Sequence, residues 1–575
     1  MFFVSLKLTR LLLFFSLSFC IAGCNPGDDG DSQTSEDEKS SARAELVRKR
    51  RCSEDFESVY QILRPSKKTM NTELRSALSL LNQWFESCAE FSGQKLSSDD
   101  PALRGILSAG QRDHLNESLA GMLDILYLRD QLLMRAMMEQ IVKDAPTDVE
   151  KVRKIFAYTQ RNITRDPLLI DPRLYHYLQT NFPQSVPQEE LSIVSIPRTL
   201  LDILLAGRGT DEDLSWAFVS FLRQLNIDAV MVSPVQSEQA ATKTLPPLIL
   251  VPVGKEILVF CPAAGLEFTS SITADKPSWN IDDLAKDFDQ LFNSISSELP
   301  DEQTILELFK KADWKQAAVT LPYSPLRVSP RSEALQMELA GNMTCEVFNH
   351  LRTQNDEPGL IERTSGLTDK LFPDQEIRLW KYPFEMYESV VIASQETSQL
   401  RELYLATINK TVQSIRTSVD QKENRTIKKS QVKRMQLSRI DQLLGNETEA
   451  ISAYMRLQLQ RGVPGGNASS EIQKENLLRA LQSEDARYWS VLCQFEKKDF
   501  RAAGNTAINY LKRYPEGRWQ LSALELLADS QARQNEFSSA IEVFSQIEIP
   551  APRRTRQLLK LKRWKQQTEK IKSTK

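Results

Sequence analysis

Histidine is almost missing from this chain. Three occur in 575 residues, at His114, His176 and His350, and the long stretch between the last two holds none. A general-base imidazole therefore has few places to sit. Cysteine is also sparse, with seven residues and no Cys-x-x-Cys spacing. No His-x-x-His spacing occurs either, so neither a metal centre nor any cofactor is expected. Charge is nearly balanced, at a net -3, and by itself argues for no partner. The chain is long enough for several domains, with 41% hydrophobic and 26% charged residues, as in ordinary soluble proteins.

The ends carry what the composition does not. Lys7 and Arg10 precede the apolar run from Leu11 to Phe19, which is too short for a comfortable bilayer span. This is the pattern of a secretory signal over 1–23. It closes with Ile21-Ala22-Gly23-Cys24, which resembles the bacterial lipobox. That resemblance implies that Cys24 carries diacylglycerol and that acyl chains hold the protein on a membrane. An ordinary secreted protein with a chance Cys after its signal is the alternative. Residues 24–45 are rich in Asp, Glu, Ser and Gly and poor in large apolar residues, and read as a disordered acidic tether.

Residues 46–145 read as helical. Cys52 opens one amphipathic helix and Cys88 ends the next, with Pro65-Ser66 between them. In an antiparallel helix pair these positions lie side by side, so a Cys52–Cys88 bridge is reasonable; two small buried residues are the alternative. Cys261, Cys345 and Cys493 read as core residues. Asp148 to Ile163 is a further helix, and the proline-rich Asp166 to Glu190 reads as a long loop holding His176.

Residues 146–275 centre on Gly207-Arg208-Gly209-Thr210-Asp211-Glu212-Asp213. Leu214, Ala217, Phe218, Phe221, Leu222 and Leu225 follow at helical spacing. Three apolar segments come next, Ala229 to Ser233, Leu248 to Val253 and Ile257 to Phe260. One helix feeding an antiparallel sheet resembles the core of a transglutaminase-like domain, the papain-type α+β fold. The run Phe221-Leu222-Arg223-Gln224-Leu225-Asn226-Ile227-Asp228-Ala229 carries the resemblance best. Aligned on Gly209, the family's nucleophilic Cys falls on Asp211, its His near Leu245 to Pro247, and its Asp on Cys261. The chemistry needs a thiolate, a base and a carboxylate that orients the base, and these letters supply none of the three in place. No catalytic residue is therefore expected. Thr210 with an acid three residues later reads as a helix N-cap.

Residues 276–394 read as a small α+β lobe: helices over Trp279–Phe292, Asp301–Trp314 and Ser332–Ala340, and strands over Met343–Phe348 and Glu376–Lys381. Residues 395–552 read as helical, with one long helix from Leu400 to Val419 and a basic one from Thr426 to Leu444. A repeat follows: Ala486 and Ala523, Phe500 and Phe537, and Ala503 and Ala540 are each 37 residues apart. The pattern resembles tetratricopeptide repeats, which implies a surface for a protein or peptide partner; a bundle contacting only its own chain is the alternative. The tail 553–575 has ten Lys or Arg and one acid. It reads as a frayed helical extension rather than a lipid- or nucleic-acid-binding arm, and no nucleic-acid partner is expected.

Together these features resemble planctomycete-type bacterial lipoproteins. The expected fold is mainly α, with a central α+β domain of papain/transglutaminase-like type and a C-terminal helical repeat region. The expected function is that of a non-catalytic binding or scaffold protein, lipid-anchored in the cell envelope and facing the periplasm or exterior. An active transglutaminase-like acyltransferase or cysteine-type peptidase is the alternative.

Overall fold

A computed structural model describes residues 32–65, 71–91, 95–183, 195–235, 245–269, 278–296, 305–342, 345–354, 356–410, 434–459, 469–546, 549 and 553–574. The signal, Cys24 and the first residues of the tether lie outside them. So do Lys428, Lys429 and Lys433 of the basic stretch.

The first helix, Ser32–Leu63, begins inside the stretch expected to be an unstructured tether. Ordering there has a local cause. Glu, Lys, Arg and Ala are good helix formers, and Glu45–Lys49 and Arg50–Glu54 form i,i+4 ion pairs at 2.9 and 3.0 Å. A second helix, Asn71–Ser87, stops one residue short of Cys88. Phe56 meets Trp84 at 5.3 Å between ring centres, so the two helices share an aromatic contact. Both Cys52 and Cys88 are disulfide-bonded, and Cys261, Cys345 and Cys493 are free.

From Asp55 to Lys575 the chain is one unit, mainly helical around a small mixed sheet. Beside that sheet, β1 (Thr164–Arg165) pairs in parallel with β2 (Arg208–Gly209). The sheet itself holds β3 (Val230–Val235), β4 (Leu248–Val253), β5 (Glu256–Cys261), β6 (Leu266–Phe268), β7 (Trp279–Asn280), β8 (Asp313–Leu321) and β9 (Ile377–Leu379). Its order is β6-β5-β4-β3-β8-β9, with β7 also on β5. The apolar runs in β4 and β5 are buried on both faces, as covered strands require. The helix Asp211–Arg223 lies against this sheet, and Phe218 meets Phe260 at 5.1 Å between ring centres. Phe156, from the helix Asp148–Asn162, completes that aromatic cluster.

Several expectations need correction. The strands of 276–394 join the main sheet instead of forming a lobe of their own: β8 pairs with β3 and β9 with β8. Asp313–Leu321 is a strand where a helix was expected to run on to Trp314, because alternate residues Ala317, Val319 and Leu321 face the core. Trp279 starts a short strand, and the helical part divides into Ile281–Lys286 and Gln290–Ser296. Residues 345–350 are irregular, not a strand. The Gln336 side chain takes the main-chain N–H groups of Val347 and Phe348, at 2.7 and 3.1 Å, that a ladder would need. Asp166 to Glu190 contains a helix, Pro172–Asn181. Pro172 occupies its first turn, where a missing N–H costs nothing, and the Asp171 side chain caps it. The helix expected from Leu400 breaks at Leu405, where Gln395–Tyr404 gives way to Ala406–Asn409.

The described part of the C-terminal region is helical. Its helices are Arg434–Leu443, Glu447–Gln458, Ser470–Glu496, Phe500–Arg513, Gln520–Arg533, Phe537–Ser545 and Arg554–Thr574. Ala486, Ala503, Ala523 and Ala540 are all fully buried, where small residues let neighbouring helices approach. The turns between paired helices share a device. Lys498 and Asn535, 37 residues apart, both adopt left-handed backbone at φ 65° and 62°. The basic tail is a packed helix: Trp564 lies against Phe544, and Lys560 pairs with Glu525 and Asp529 at 2.8 Å.

These helices pack on the central region. Arg161 pairs with Glu496 at 2.9 Å, Thr164 and Ser522 share a hydrogen bond of 2.9 Å, and Arg173 pairs with Glu484 at 2.8 Å. Arg518 donates to Asp171 at 2.8 Å. Burial alone would raise the Asp171 carboxyl, but Arg173 and Arg518 more than offset it and hold it well below the usual carboxylate range. No described helix is long and apolar enough to cross a membrane.

Candidate functional site

The start of the helix Asp211–Arg223 is built by two glycines with different jobs. Gly207 ends the helix Leu200–Ala206 in left-handed backbone, φ 63°, and a Cβ there would lie 3.0 Å from the Trp489 ring. Gly209 is extended, but a Cβ on it would lie 2.6 Å from the Cβ of Asp213. Between them Arg208 is buried, paired with Asp166 at 3.2 Å, with its guanidinium over the Tyr404 ring.

Thr210 and Asp213 form a reciprocal cap. The Thr210 side chain accepts from the Asp213 N–H, and the Asp213 carboxylate accepts from the Thr210 N–H at 2.8 Å. Asp213 is fully buried and does more than cap. Its Oδ2 accepts from Arg198 Nε at 2.7 Å, and its Oδ1 accepts from the Tyr382 hydroxyl at 2.7 Å. Arg198, itself buried, also donates to the Ile196 carbonyl at 2.6 Å and to Tyr382 at 2.8 Å. Both charges are thus fully partnered, the condition under which a buried pair is tolerated.

Asp211, at the position that the resemblance assigns to a nucleophile, sits in the first turn as expected. It does not cap. Arg165 from β1 grips it with both arms, Nε on Oδ1 and Nη2 on Oδ2, the latter at 3.0 Å. Cys261 ends β5 nearby and is fully buried. Burial pushes its thiol up to about 12, against the main-chain N–H groups of Ala264 and Ala263 and with help from the Asp211 charge. A thiol so placed is protonated at neutral pH and is a poor nucleophile. Gly265, four residues on, lies under the C-terminal helix: a Cβ there would be 2.8 Å from Arg556 Cδ.

No imidazole joins this group. His114 meets Glu117 at 3.1 Å, His176 is exposed on its helix, and His350 stands edge-on to Phe348. Leu245 to Pro247, aligned with the family's base, leads into β4. Among the described residues no group of three or more His, Cys, Asp or Glu could hold a metal ion. The arrangement can hold charge and position a ligand; it contains no activated nucleophile.

Sequence reasoning missed Arg165, Arg198, Tyr382, Arg553 and Arg556. The first three come to Asp211 and Asp213 from elements far apart in the chain, and no local spacing marks them. Arg553 and Arg556 stood in plain view within the basic tail, where charge alone did not separate them from solvated neighbours. No family model, curated protein or solved structure matches this chain.

Proposed function

We propose that the chain is a non-catalytic binding protein, built on a degenerate transglutaminase-like domain and tetratricopeptide-like helical repeats and held on the envelope membrane by lipid on Cys24. One observation carries the non-catalytic part. At the start of the helix Asp211–Arg223 both inward carboxylates are locked to arginines, and the nearby thiol of Cys261 is buried without a base. A carboxylate stabilised as an ion at a helix N-terminus is a poor attacking group. The rival acyltransferase or peptidase would need a Cys–His pair at hydrogen-bond reach. A protein or peptide partner would meet the repeats on surfaces that the central region leaves open, where Met455 and Ile508 are exposed.

The deciding experiment incubates purified protein with glutamine-containing peptides and a monoamine, and separately with peptide substrates alone. No turnover is expected. Turnover abolished by Asp211→Ala or Cys261→Ala would replace this reading with the enzymatic one. The anchor is tested by fractionation: Cys24→Ser should leave the membrane fraction or accumulate unprocessed, and unchanged attachment with unchanged cleavage would refute the lipid anchor.

A further inference from the structure

Beside Asp211 lies a cavity of about 90 Å³, where the repeats close on the central region. Thr164 and Arg165 come from β1, Ser522 and Glu525 from the repeats, and Arg553 and Arg556 from the C-terminal helix and the residue before it. Leu521, Phe544 and Ile549 supply an apolar wall. A water needs some ~10–15 Å³ of such space, so the cavity holds several waters or one small molecule.

The polar groups there are incompletely satisfied. Arg165 is taken by Asp211, and Arg556 Nη2 pairs with Glu525 at 2.8 Å. Lys560, just behind, pairs with Glu525 and Asp529. Arg553 feels the Glu525 charge but forms no such ion pair among the described residues. Its Nε and Nη2 are buried with nothing to accept from them, and so is Arg556 Nη1. Buried donors without acceptors are rare in folded proteins, and each calls for a water or an ion. Burial and the charge of Arg556 push the Arg553 guanidinium down to about 10, which still leaves it cationic near neutral pH.

Charge counting narrows the occupant. Among the groups shielded from solvent, Arg165, Arg553, Arg556 and Lys560 face Asp211, Glu525 and Asp529, which leaves one positive charge over; Glu212, which also acts on Arg165, is exposed to water. A monoanion balances it. The free N–H groups of Arg553, with the Arg556 guanidinium beside it, suit the planar, two-oxygen geometry of a carboxylate. The wall of Leu521, Phe544 and Ile549 suits a short apolar body behind it.

We propose that this cavity is a binding site for a small aliphatic carboxylate, held by Arg553 and Arg556 with its apolar end against Phe544 and Ile549. The site gives the binding reading a ligand class, and rests on that reading only for the claim that the ligand is held and not turned over. The cavity is lined from both the C-terminal helices and the central region, so its occupancy ties those two parts together.

The test uses the full chain purified in detergent, with butyrate, acetate and inorganic phosphate as probes. Saturation-transfer NMR on the wild-type protein should show butyrate bound, displaced weakly by acetate and least by phosphate. Butyrate should also raise the melting temperature, and Arg553→Gln should weaken its binding by about tenfold or more, as expected when a charge-assisted fork is lost. Circular dichroism and ligand-free melting establish that the variant is folded. Absence of butyrate transfer in the wild type, or equal affinity in a folded Arg553→Gln, overturns the site. Tighter binding of phosphate than of butyrate overturns the carboxylate assignment. Hydrolysis of a butyrate ester at this site, with butyrate binding intact, would instead refute the non-catalytic reading and leave the site standing.

Discussion

The guanidinium carbon of Arg439 sits 3.5 Å from the centre of the Trp489 ring, and no carboxylate pairs with it among the described residues. Main-chain oxygens meet its charge instead. It donates to the carbonyls of Leu204 and Asn162 at 3.1 and 3.2 Å, near the C-terminal ends of two central helices. Those ends carry partial negative charge, and the ring face adds more. One side chain from the C-terminal helical region thus terminates two helices of the central region.

Arg439→Ala should therefore destabilise the protein by about 3–5 kcal/mol, because it strands buried carbonyls and opens space beside the ring. Arg439→Lys should recover only part of this, since a single ammonium cannot reach two carbonyls while covering Trp489. Urea unfolding checks both. A loss of under about 1 kcal/mol in Arg439→Ala would show the contact to be incidental.

Gly207→Ala should destabilise by about 1–2 kcal/mol from left-handed backbone alone, and further because the new methyl presses on the Trp489 ring. Trp489→Leu in the same background should relieve the second effect and leave the first. The measurement is a thermal melt of the single and double variants, and strictly additive losses would refute the proposed clash.

Cys261, Cys345 and Cys493 should resist iodoacetamide in the native protein at pH 8 and all react in denaturant. Each is fully buried. Burial pushes the thiols of Cys261 and Cys345 up to about 12 and that of Cys493 higher still. Mass spectrometry of the alkylated peptides reads the result. Fast native labelling of Cys261 would mark an accessible thiolate and revive the enzymatic alternative.

Acid should weaken the joint between repeats and centre. Asp171 has a folded-state pKa below its unfolded value, so its contribution is present above about pH 4 and is lost as pH falls through the folded value. Asp171→Asn should lower stability at pH 7 and flatten the acid limb of the stability curve. An unchanged acid limb in that variant would place the dependence elsewhere.

Peptide mapping without reduction should recover Cys52 and Cys88 in one linked fragment. Both are bonded in the structure, and Phe56, four residues after Cys52, meets Trp84, four residues before Cys88. Recovery of either cysteine linked elsewhere would contradict the pairing.

How much could be read in advance varied with how local the signal was. The helix from Asp211 and strands β3 to β5 follow from spacing within one short stretch, and Thr210 with Asp213 announced its own cap. The repeat was visible because Ala486 and Ala523 recur at fixed distance. β8 was hidden, because Trp314 to Val319 has helix-compatible letters and becomes a strand only by pairing with β3 and β9. Arg165 and Arg198 were hidden for a related reason: a buried charge is chosen by partners from elsewhere in the chain.

The insertion of β8 beside β3 has a kinetic consequence. Met231 pairs with Thr320, roughly ninety residues on, and closing so long a loop slows folding far more than local helix formation does. Until β8 arrives, the hairpins of β3, β4 and β5 can form while one side of β3 offers unpaired main-chain groups to any other chain. Refolding should accordingly be slow and yield should fall as protein concentration rises, which dilution series would reveal. The interval before that strand docks is the period of greatest exposure to aggregation and proteolysis, and the amount of folded protein that results depends on how briefly it lasts.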